Sequence, residues 1–353
     1  MTRRAAIILA GGKGERFQSG QGKWQDKSLA LLFGKPLLVH VVENVRGVVD
    51  EVAVCVNDQK RKQMYSEILK EHGIADARLI VDEKIDHLGG PLVAIYSGLK
   101  SVEADHCFTL PGDMPLLQPN VTRYLFSQAG DSRVVVPMWP NGRLETLTMV
   151  LEKPSALPIA DTLCHLGRPR SDDLIRGALN VTFASITSEI SSLDPELKSF
   201  VNINSPEDLT KLQPRRVDGS TTQNLHVKRG ALPTAELHQM REASTLCREA
   251  KFLEASKIFS SCAVRLEAER SLFWGAISYE SQGKCLLNLS EEQNQTETAG
   301  MQATVGREAL LKAAATYDLE AKMHEECGCV FLAERARSDK AWCERHATLR
   351  PTG

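Results

Sequence analysis

The fold is decided by Ala5-Ala-Ile-Ile-Leu-Ala-Gly-Gly-Lys-Gly-Glu-Arg-Phe17, near the amino end of the chain. Its first six residues are apolar, which is typical of a strand buried on both faces of a parallel sheet. Gly11 and Gly12 let backbone N–H groups approach phosphate oxygens closely, and Lys13 and Arg16 add positive charge. The spacing is neither that of the P-loop nor that of the dinucleotide fingerprint. Taken alone, a tight turn with solvated basic residues is the alternative interpretation.

Outward from this stretch, apolar runs alternate with amphipathic segments up to about residue 212. Strands are predicted at 5–9, 51–56, 78–81, 106–110, 133–137 and 147–151, and helices at 36–45, 59–72 and 91–102. Strand–helix alternation indicates right-handed crossovers and a mainly parallel sheet with helices on both faces. The predicted fold class is therefore α/β, a Rossmann-like doubly wound sheet.

The character of the sequence changes around 213–233, which is polar and without periodicity, as is typical of a linker. Beyond it, apolar residues recur at helical spacing, as in Ala255, Ile258, Phe259 and Cys262. The sequence therefore predicts a domain at 1–212, a linker at 213–233 and an all-α domain at 234–353. Four or five antiparallel helices are expected, and a tetratricopeptide-like repeat stays an alternative because no fixed period is found.

Bulk composition sets limits on the function. A chain of 353 residues is long enough for two domains at about 150 residues each. The net charge of −2 gives no general attraction to nucleic acid or to acidic membranes, so neither is an expected partner. Nine cysteines, an odd number in so long a chain, indicate reduced thiols, and no stretch approaches the roughly 20 apolar residues of a membrane span. A cytoplasmic location is expected.

Four further motifs follow in order, at Asp26–Leu38, Gly89–Ala94, Leu110–Leu117 and Phe200–Leu209. Together with the glycine-rich stretch they make the chain resemble the molybdenum-cofactor guanylyltransferase (MobA-like) branch of the nucleotidyltransferases. The resemblance covers about residues 4–212 and implies the nucleotidyltransferase fold. Its specificity comes from several motifs in the family's order, and it does not cover the C-terminal helices.

The resemblance also implies roles for single residues. The nucleotide-binding residues are expected to be Leu9, Ala10, Gly11, Gly12, Lys27, Asn57, Asp86 and Asp113. Lys27, Asp113 and Arg16 are the expected catalytic residues, with Lys27 on the triphosphate. Asn202 and Asn204 match a motif on the acceptor side. A carboxylate only accepts hydrogen bonds, so Asp86 suits guanine N–H groups or ribose hydroxyls.

Each assignment has a structural alternative. Lys27 could be a surface lysine, Asn57 an Asx turn, and Asp86 one of several surface acids beside Asp82 and Glu83. Asn202 and Asn204 precede Ser205-Pro-Glu-Asp, a good helix N-cap sequence.

Asp113 is the best-supported candidate from the residues themselves. It follows a predicted strand directly, where ligands bind in open α/β sheets. Mg²⁺ prefers one or two carboxylates together with phosphate oxygens, so Asp113 is the expected metal ligand and Mg²⁺ the expected cofactor. A helix N-cap before Met114-Pro115 is the alternative.

Two other regions carry weaker signals. The segment His165–Arg170 has basic residues suited to an anionic pterin phosphate on the acceptor side. His324, Cys327, Cys329, Cys343 and His346 are dense enough to raise the question of zinc, but Cys-x-Cys is not the usual spacing. Buried thiols with solvated histidines are the preferred interpretation.

The resemblance implies transfer of GMP from GTP to the phosphate of molybdopterin or the molybdenum cofactor. Such a transfer needs positioning and charge stabilisation rather than a nucleophilic side chain. The alternatives are a cytidylyl- or sugar-phosphate nucleotidyltransferase, and a catalytically idle nucleotide-binding domain in a helical adaptor protein. The C-terminal helices are expected to bind a partner protein or a second copy, with a layer packed permanently on the enzyme as the alternative.

Overall fold

The computed structural model describes residues 2–12, 26–86, 88–210, 212, 223–293 and 297–348. The chain divides into two compact units. The sheet unit consists of Met1–Ala160 and Pro169–Val227. The helical unit consists of Asp161–Arg168 and Lys228–Gly353. The helical unit is therefore built from two stretches that are separated in the sequence.

An eight-stranded sheet forms the centre of the sheet unit. Its strands, in chain order, are β1 (Arg4–Leu9), β4 (Glu51–Val56), β5 (Arg78–Val81), β6 (His106–Pro111), β7 (Val134–Met138), β8 (Met149–Glu152), β9 (Asn180–Ser185) and β10 (Leu225–Lys228). Their spatial order is β10-β9-β7-β8-β6-β1-β4-β5. The short strands β2 (Leu31–Leu32) and β3 (Lys35–Pro36) form a separate antiparallel hairpin. The predicted α/β fold with a sheet of this type is confirmed.

Parallel pairing dominates around β1, which lies between β4 and β6 and is parallel to both. Strand β5 continues the parallel arrangement beside β4, and β9 is parallel to β7. Strand β8 runs antiparallel to β6 and to β7. Because the carboxyl ends of β1, β4, β5 and β6 lie at one edge of the sheet, the loops that follow them come together there.

Helices of the sheet unit connect these strands. They are α1 (Leu37–Arg46), α2 (Gln59–Glu71), α3 (Pro91–Ser101), α4 (Pro119–Ser127), α5 (Lys153–His165), α6 (Ser171–Gly177) and the short α7 (Ser191–Leu193). The apolar face of α1, including Leu38, Val41 and Val45, packs in the same buried core as residues of β1 and β4. Helix α5 begins in the sheet unit, and its last residues belong to the helical unit.

Five further helices lie in the helical unit: α8 (Thr234–Arg248), α9 (Phe252–Ala268), α10 (Leu272–Glu292), α11 (Glu297–Glu326) and α12 (Val330–Thr348). Each helix packs on the next one in the chain. Buried side chains at helical spacing, such as Ala255, Phe259 and Cys262, form the contacts. The prediction that this region is entirely helical is confirmed. Within the described ranges, no helix combines the length and the apolar character needed to cross a membrane.

The predicted boundary between the two parts of the chain differs from the observed one. Strand β10 lies inside 213–233, the stretch predicted to be a linker, and extends the sheet beyond β9. Asn224, the residue before β10, is linked to the end of β9, because its Oδ1 accepts a hydrogen bond from Ser185 N at 2.9 Å. The polar composition concealed β10 because an edge strand buries little apolar surface. Asp161–Arg168, predicted to belong with the first domain, instead packs with the helices.

Candidate active site

A cavity of about 940 Å³ opens where the loops after β1, β4, β5 and β6 come together. Lys27 and Asn204, from elsewhere in the sheet unit, complete its wall. The cavity is lined by Leu9, Ala10, Gly11, Gly12, Lys27, Ser28, Asn57, Asp82, Glu83, Lys84, Asp86, Leu88, Gly89, Gly90, Pro91, Val93, Ala94, Pro111, Gly112, Asp113, Leu147 and Asn204. Of the predicted site residues within the described ranges, the cavity thus brings together all except Asn202. Arg16, like Lys13 and 17–25, lies outside the described residues.

Close backbone approach shapes two of the loops. A Cβ on Gly112 would lie 3.3 Å from Leu9 O, a tight contact, so glycine favours the close approach of the chain after β6 to the end of β1. Gly90 has φ +113°, and a Cβ there would lie 3.2 Å from Pro169. Both glycines therefore allow two backbone segments to pass close to each other at the cavity wall.

The amino group of Lys27 contacts two side chains from distant parts of the sequence. Its Nζ donates to Asp113 Oδ2 at 2.5 Å and to Asn204 Oδ1 at 2.7 Å. The side chains of Lys27 and Asp113 are 17% and 23% exposed, so the pair is partly shielded from water while still reachable from the cavity. Lys27, Asp113 and Asn204 thus form one polar cluster, as expected if they act on the same ligand.

Asn204 is held in place by Asp208. The Asp208 carboxylate accepts hydrogen bonds from Asn204 N at 2.7 Å and from Ser205 N at 2.8 Å, as part of a capping box that begins the 3₁₀ helix Pro206–Leu209. Burial acts to raise the pKa of Asp208, but these backbone amides outweigh it and the pKa is lowered. The predicted N-cap at Ser205 is therefore present, and Asn204 beside it lines the cavity. Asn202 is half-buried and does not line the cavity.

Asp113 has the features of a metal ligand. Its Oδ2 meets Lys27, whereas its Oδ1 is buried and accepts no hydrogen bond from the residues described. A buried carboxylate oxygen without a donor is suited to a hard cation. In the described part of the chain, no three or more His, Cys, Asp or Glu side chains are grouped to hold a metal ion. A site with one protein carboxylate fits Mg²⁺, which retains waters and takes phosphate oxygens as ligands.

Two aspartates occupy the loop after β5, and their environments differ. Burial raises the pKa of Asp82 to about 7, and its Oδ1 finds no hydrogen-bond partner in the described ranges. Asp86 is exposed and has φ +47°, at the tip of the turn between Ile85 and Leu88. The sequence favoured Asp86, and both residues line the cavity. The raised pKa of Asp82 and its place in the cavity wall make it a second candidate for the nucleoside end of the site.

Arg61 is a site residue that the sequence reasoning missed. It lies on α2 beneath the loop after β1, and its Nη1 donates to Gly11 O at 3.0 Å and to Asn57 Oδ1 at 2.9 Å. A signal was present, since Arg61, Tyr65 and Leu69 are the buried residues of α2 at i, i+4 and i+8. A charged residue in the buried stripe of an amphipathic helix needs a partner.

The basic segment His165–Arg170 does not offer its charge as expected. Arg168 belongs to the helical unit, where its Nη2 donates to Asp339 Oδ2 at 2.7 Å and its Nη1 to Glu280 Oε2 at 3.3 Å. Although burial acts to raise the pKa of Glu280, the positive charges of Arg168 and Lys284 lower it to about 2. The charge of Arg168 is thus compensated within the helical unit by the buried Glu280 and the partly exposed Asp339.

The histidine and cysteine cluster near the C-terminus is also different from its expected form. His324 is fully buried rather than solvated, with Nε2 3.3 Å from Glu320 Oε1 and Nδ1 3.4 Å from Arg229 Nη2. Cys329 and Cys343 are buried, and His346 stacks on Trp342. His324 is therefore a buried residue of the helical unit, and its polar contact with Arg229 links α11 to the chain before α8.

The chain is similar in sequence to known proteins. Residues 6–180 match the family model of the MobA-like NTP transferase domain. A probable molybdenum cofactor guanylyltransferase from Methanosarcina mazei is 32% identical over 209 residues, 59% of this chain and 89% of that protein. One from Pyrococcus horikoshii is 31% identical over 209 residues, 58% of this chain and 96% of that protein. A crystal structure of molybdopterin-guanine dinucleotide biosynthesis protein A from Archaeoglobus fulgidus is 23% identical, covers 60% of this chain and 96% of that one, and has a TM-score of 0.49.

Proposed function

Since the chain belongs to the family of MobA-like NTP transferases, we propose that it transfers GMP from GTP to the phosphate of molybdopterin or of the molybdenum cofactor. The observation that carries the proposal is the cluster of Lys27, Asp113 and Asn204 at the wall of a cavity large enough for a nucleotide. The choice of GTP and molybdopterin is supported by the names of relatives that are 31–32% identical to this chain.

In the proposed reaction an oxygen of the acceptor phosphate forms a bond to the α-phosphorus of GTP. The bond from that phosphorus to the bridging oxygen breaks, and the electron pair leaves with pyrophosphate. Mg²⁺, when bound at Asp113, would supply charge neutralisation for the phosphates. Lys27 adds a second positive charge, and the backbone N–H groups of Gly11 and Gly12 hold phosphate oxygens in position.

No side chain has to act as a nucleophile in this scheme, because the acceptor brings its own phosphate oxygen. The protein contributes by orienting two anions that repel each other in water and by shielding them from competing water. Asn204, held by Asp208, orients the Lys27 amino group, so the lysine is already in place before the triphosphate binds.

Pyrophosphate release from the purified full-length protein tests the proposal. Each of the four nucleoside triphosphates is supplied with Mg²⁺, with and without molybdopterin. We expect release only with GTP and molybdopterin together. Release with CTP and another acceptor would replace the proposal by a cytidylyltransferase. Tight binding of GTP without release under any condition would indicate an idle nucleotide-binding domain.

A further inference from the structure

Helix α2 carries a buried arginine directly under the candidate nucleotide site. The helix begins after Asn57, and Asp58 caps it by accepting a hydrogen bond from Arg61 N at 2.8 Å. The cap fixes the first turn, so the side chain of Arg61 points back toward the carboxyl ends of β1 and β4. That side chain is only 7% exposed, so its charge must be compensated by protein groups.

Three segments of the site provide this compensation. The guanidinium donates to Gly11 O at 3.0 Å and to Asn57 Oδ1 at 2.9 Å, and its Nε lies 3.0 Å from Asp26 Oδ2. Tyr65, one turn later on α2, donates from its hydroxyl to Asp26 Oδ1 at 2.8 Å. One side chain thus contacts the loop after β1, the residue after β4 and the residue before Lys27.

Each contact constrains a group that faces the cavity. The hydrogen bond from Arg61 fixes the orientation of the Asn57 amide with its oxygen toward the guanidinium, so its NH₂ group is available as a donor to a ligand. The bond to Gly11 O sets the peptide plane of the loop, and with it the direction of the next N–H. Asp26 also accepts from Ser28 N at 3.1 Å and so begins the 3₁₀ turn Lys27–Leu29, which carries the lysine.

We propose that Arg61 is a positioning residue of the nucleotide site. It holds Gly11 in the loop after β1, the Asn57 amide and the Asp26–Lys27 segment in one arrangement. A guanidinium spreads five N–H donors over a rigid planar fork and so reaches acceptors on three segments, whereas a lysine ammonium in the same place concentrates its three donors on one atom. Arg61 lies behind these groups and does not line the cavity. Its effect on a nucleotide is therefore indirect, through Gly11, Asn57 and Lys27.

The proposal rests on the proposed function for its ligand, so the test uses the free protein and nucleotide binding before turnover. Arg61→Lys keeps the positive charge but removes the planar guanidinium group. Tyr65→Phe removes one hydrogen bond to Asp26. Arg176→Lys is the matched control, because Arg176 is a fully buried arginine that donates to Asp173 at 2.9 Å and does not line the cavity. Hydrogen exchange at 9–12 and 26–29, melting temperature and the affinity for Mg²⁺–GTP are measured for each variant.

In the Arg61→Lys protein we expect the backbone amide hydrogens of 9–12 and 26–29 to exchange faster than in the wild type. We also expect it to bind Mg²⁺–GTP about 10- to 100-fold more weakly, as is typical when a residue that orients a ligand-binding group is changed. Tyr65→Phe should act in the same direction with a smaller effect. Arg176→Lys should lower the melting temperature with affinity unchanged. A folded Arg61→Lys protein with the exchange and affinity of the wild type would overturn the proposal.

The proposed function and the positioning role of Arg61 can each fail without the other. A wild-type protein that binds Mg²⁺–GTP but transfers nothing to molybdopterin would overturn the reaction, and the binding data would still decide the role of Arg61. If the wild type bound none of the four triphosphates, the proposed function would be wrong. Unchanged exchange in Arg61→Lys would then overturn the positioning role, and faster exchange in both segments would support it.

Discussion

Lys27 and Asp113, 86 positions apart in the sequence, form an ion pair with a distance of 2.5 Å between Nζ and Oδ2. Each group is the other's counter-ion in the protein without substrates. A triphosphate with its Mg²⁺ can take over both roles, because the phosphates attract the lysine and the metal attracts the carboxylate. The ion pair therefore holds the two side chains together and compensates their charges before the substrates bind.

Replacing the carboxylate should abolish the reaction while leaving the fold intact. We expect Asp113→Asn to lower kcat by at least about 100-fold, because an amide is a much weaker ligand for a hard cation than a carboxylate. Pyrophosphate release at saturating Mg²⁺ and circular dichroism are the measurements. Full Mg²⁺-dependent turnover by a folded Asp113→Asn protein would remove Asp113 from the metal site.

Removing the lysine charge should affect transfer more than nucleoside binding. For Lys27→Ala we expect a loss of about 100- to 1000-fold in kcat, because charge that develops on the phosphates is no longer neutralised. The affinity for guanosine should change much less than the rate. Lys35→Ala is the control, since Lys35 is an exposed lysine paired with Glu43 at 2.7 Å. Equal rates for the two variants would make Lys27 an ordinary surface charge.

The raised pKa of Asp82 predicts a pH-dependent effect on stability. The value of about 7 lies above the ordinary 3.8, so the folded protein keeps this proton in a range where the unfolded chain has lost it. The contribution of the Asp82 carboxyl to the free energy of unfolding is fully present below about pH 4 and is lost as the pH rises through 7. Asp82→Asn cannot ionise, so its melting temperature relative to the wild type should rise between pH 5 and pH 8, by about 2–4 °C. A constant difference across this range would show that Asp82 ionises normally.

Base selectivity is expected to depend on Asp86. Asparagine is the suitable replacement because Asp86 has φ +47°, a conformation that Asn tolerates better than Ala. A bidentate contact to a base is worth about 1–3 kcal/mol, so Asp86→Asn should reduce the preference for GTP over ATP by roughly 5- to 150-fold. Asp76→Asn, at an exposed aspartate outside the cavity, controls for the lost charge. Equal weakening of GTP and ATP would indicate a contact to the ribose instead.

The helical unit should be needed for the stability of the chain before it. A protein that ends at Val227 keeps all eight strands except the last residue of β10, yet it leaves Asp161–Arg168 without the helices it packs with. We expect this truncated protein to melt at a lower temperature than the full chain and to aggregate more readily, because Leu163 and Cys164 lose their burial. A soluble truncated protein with the full-length transfer rate would instead support an independent module.

Much of the sheet could be predicted because parallel strands buried on both faces appear as short apolar runs. The predicted strand at 78–81 is identical to β5, and the predicted strands at 51–56 and 106–110 differ from β4 and β6 by at most one residue. Strand β9, Asn180-Val-Thr-Phe-Ala-Ser185, was missed because polar residues interrupt its apolar pattern. Local sequence therefore identifies strands with an uninterrupted apolar run, such as β4 and the edge strand β5, better than strands whose apolar pattern polar residues break.

The site was predicted in its parts, through motifs that resemble a known family, but not in its internal contacts. Lys27 and Asn204 are 177 positions apart, and no local pattern states that they meet. Arg61 was missed for the same reason, since its partners lie on other segments. The partners of Arg168 could not be predicted either, because Glu280 and Asp339 follow it more than 100 residues later.

The end of α5 also has a consequence for biosynthesis. Arg168 and its partner Asp339 are 171 positions apart, so the arginine is made first and its carboxylate much later. At about 5–20 residues per second, the delay between them is roughly 10 to 30 s on the ribosome. Throughout this time a nascent chain that already contains Lys27 and Asp113 still carries a helix end without its final neighbours. Chaperones that shield this segment during translation should therefore increase the yield of native protein.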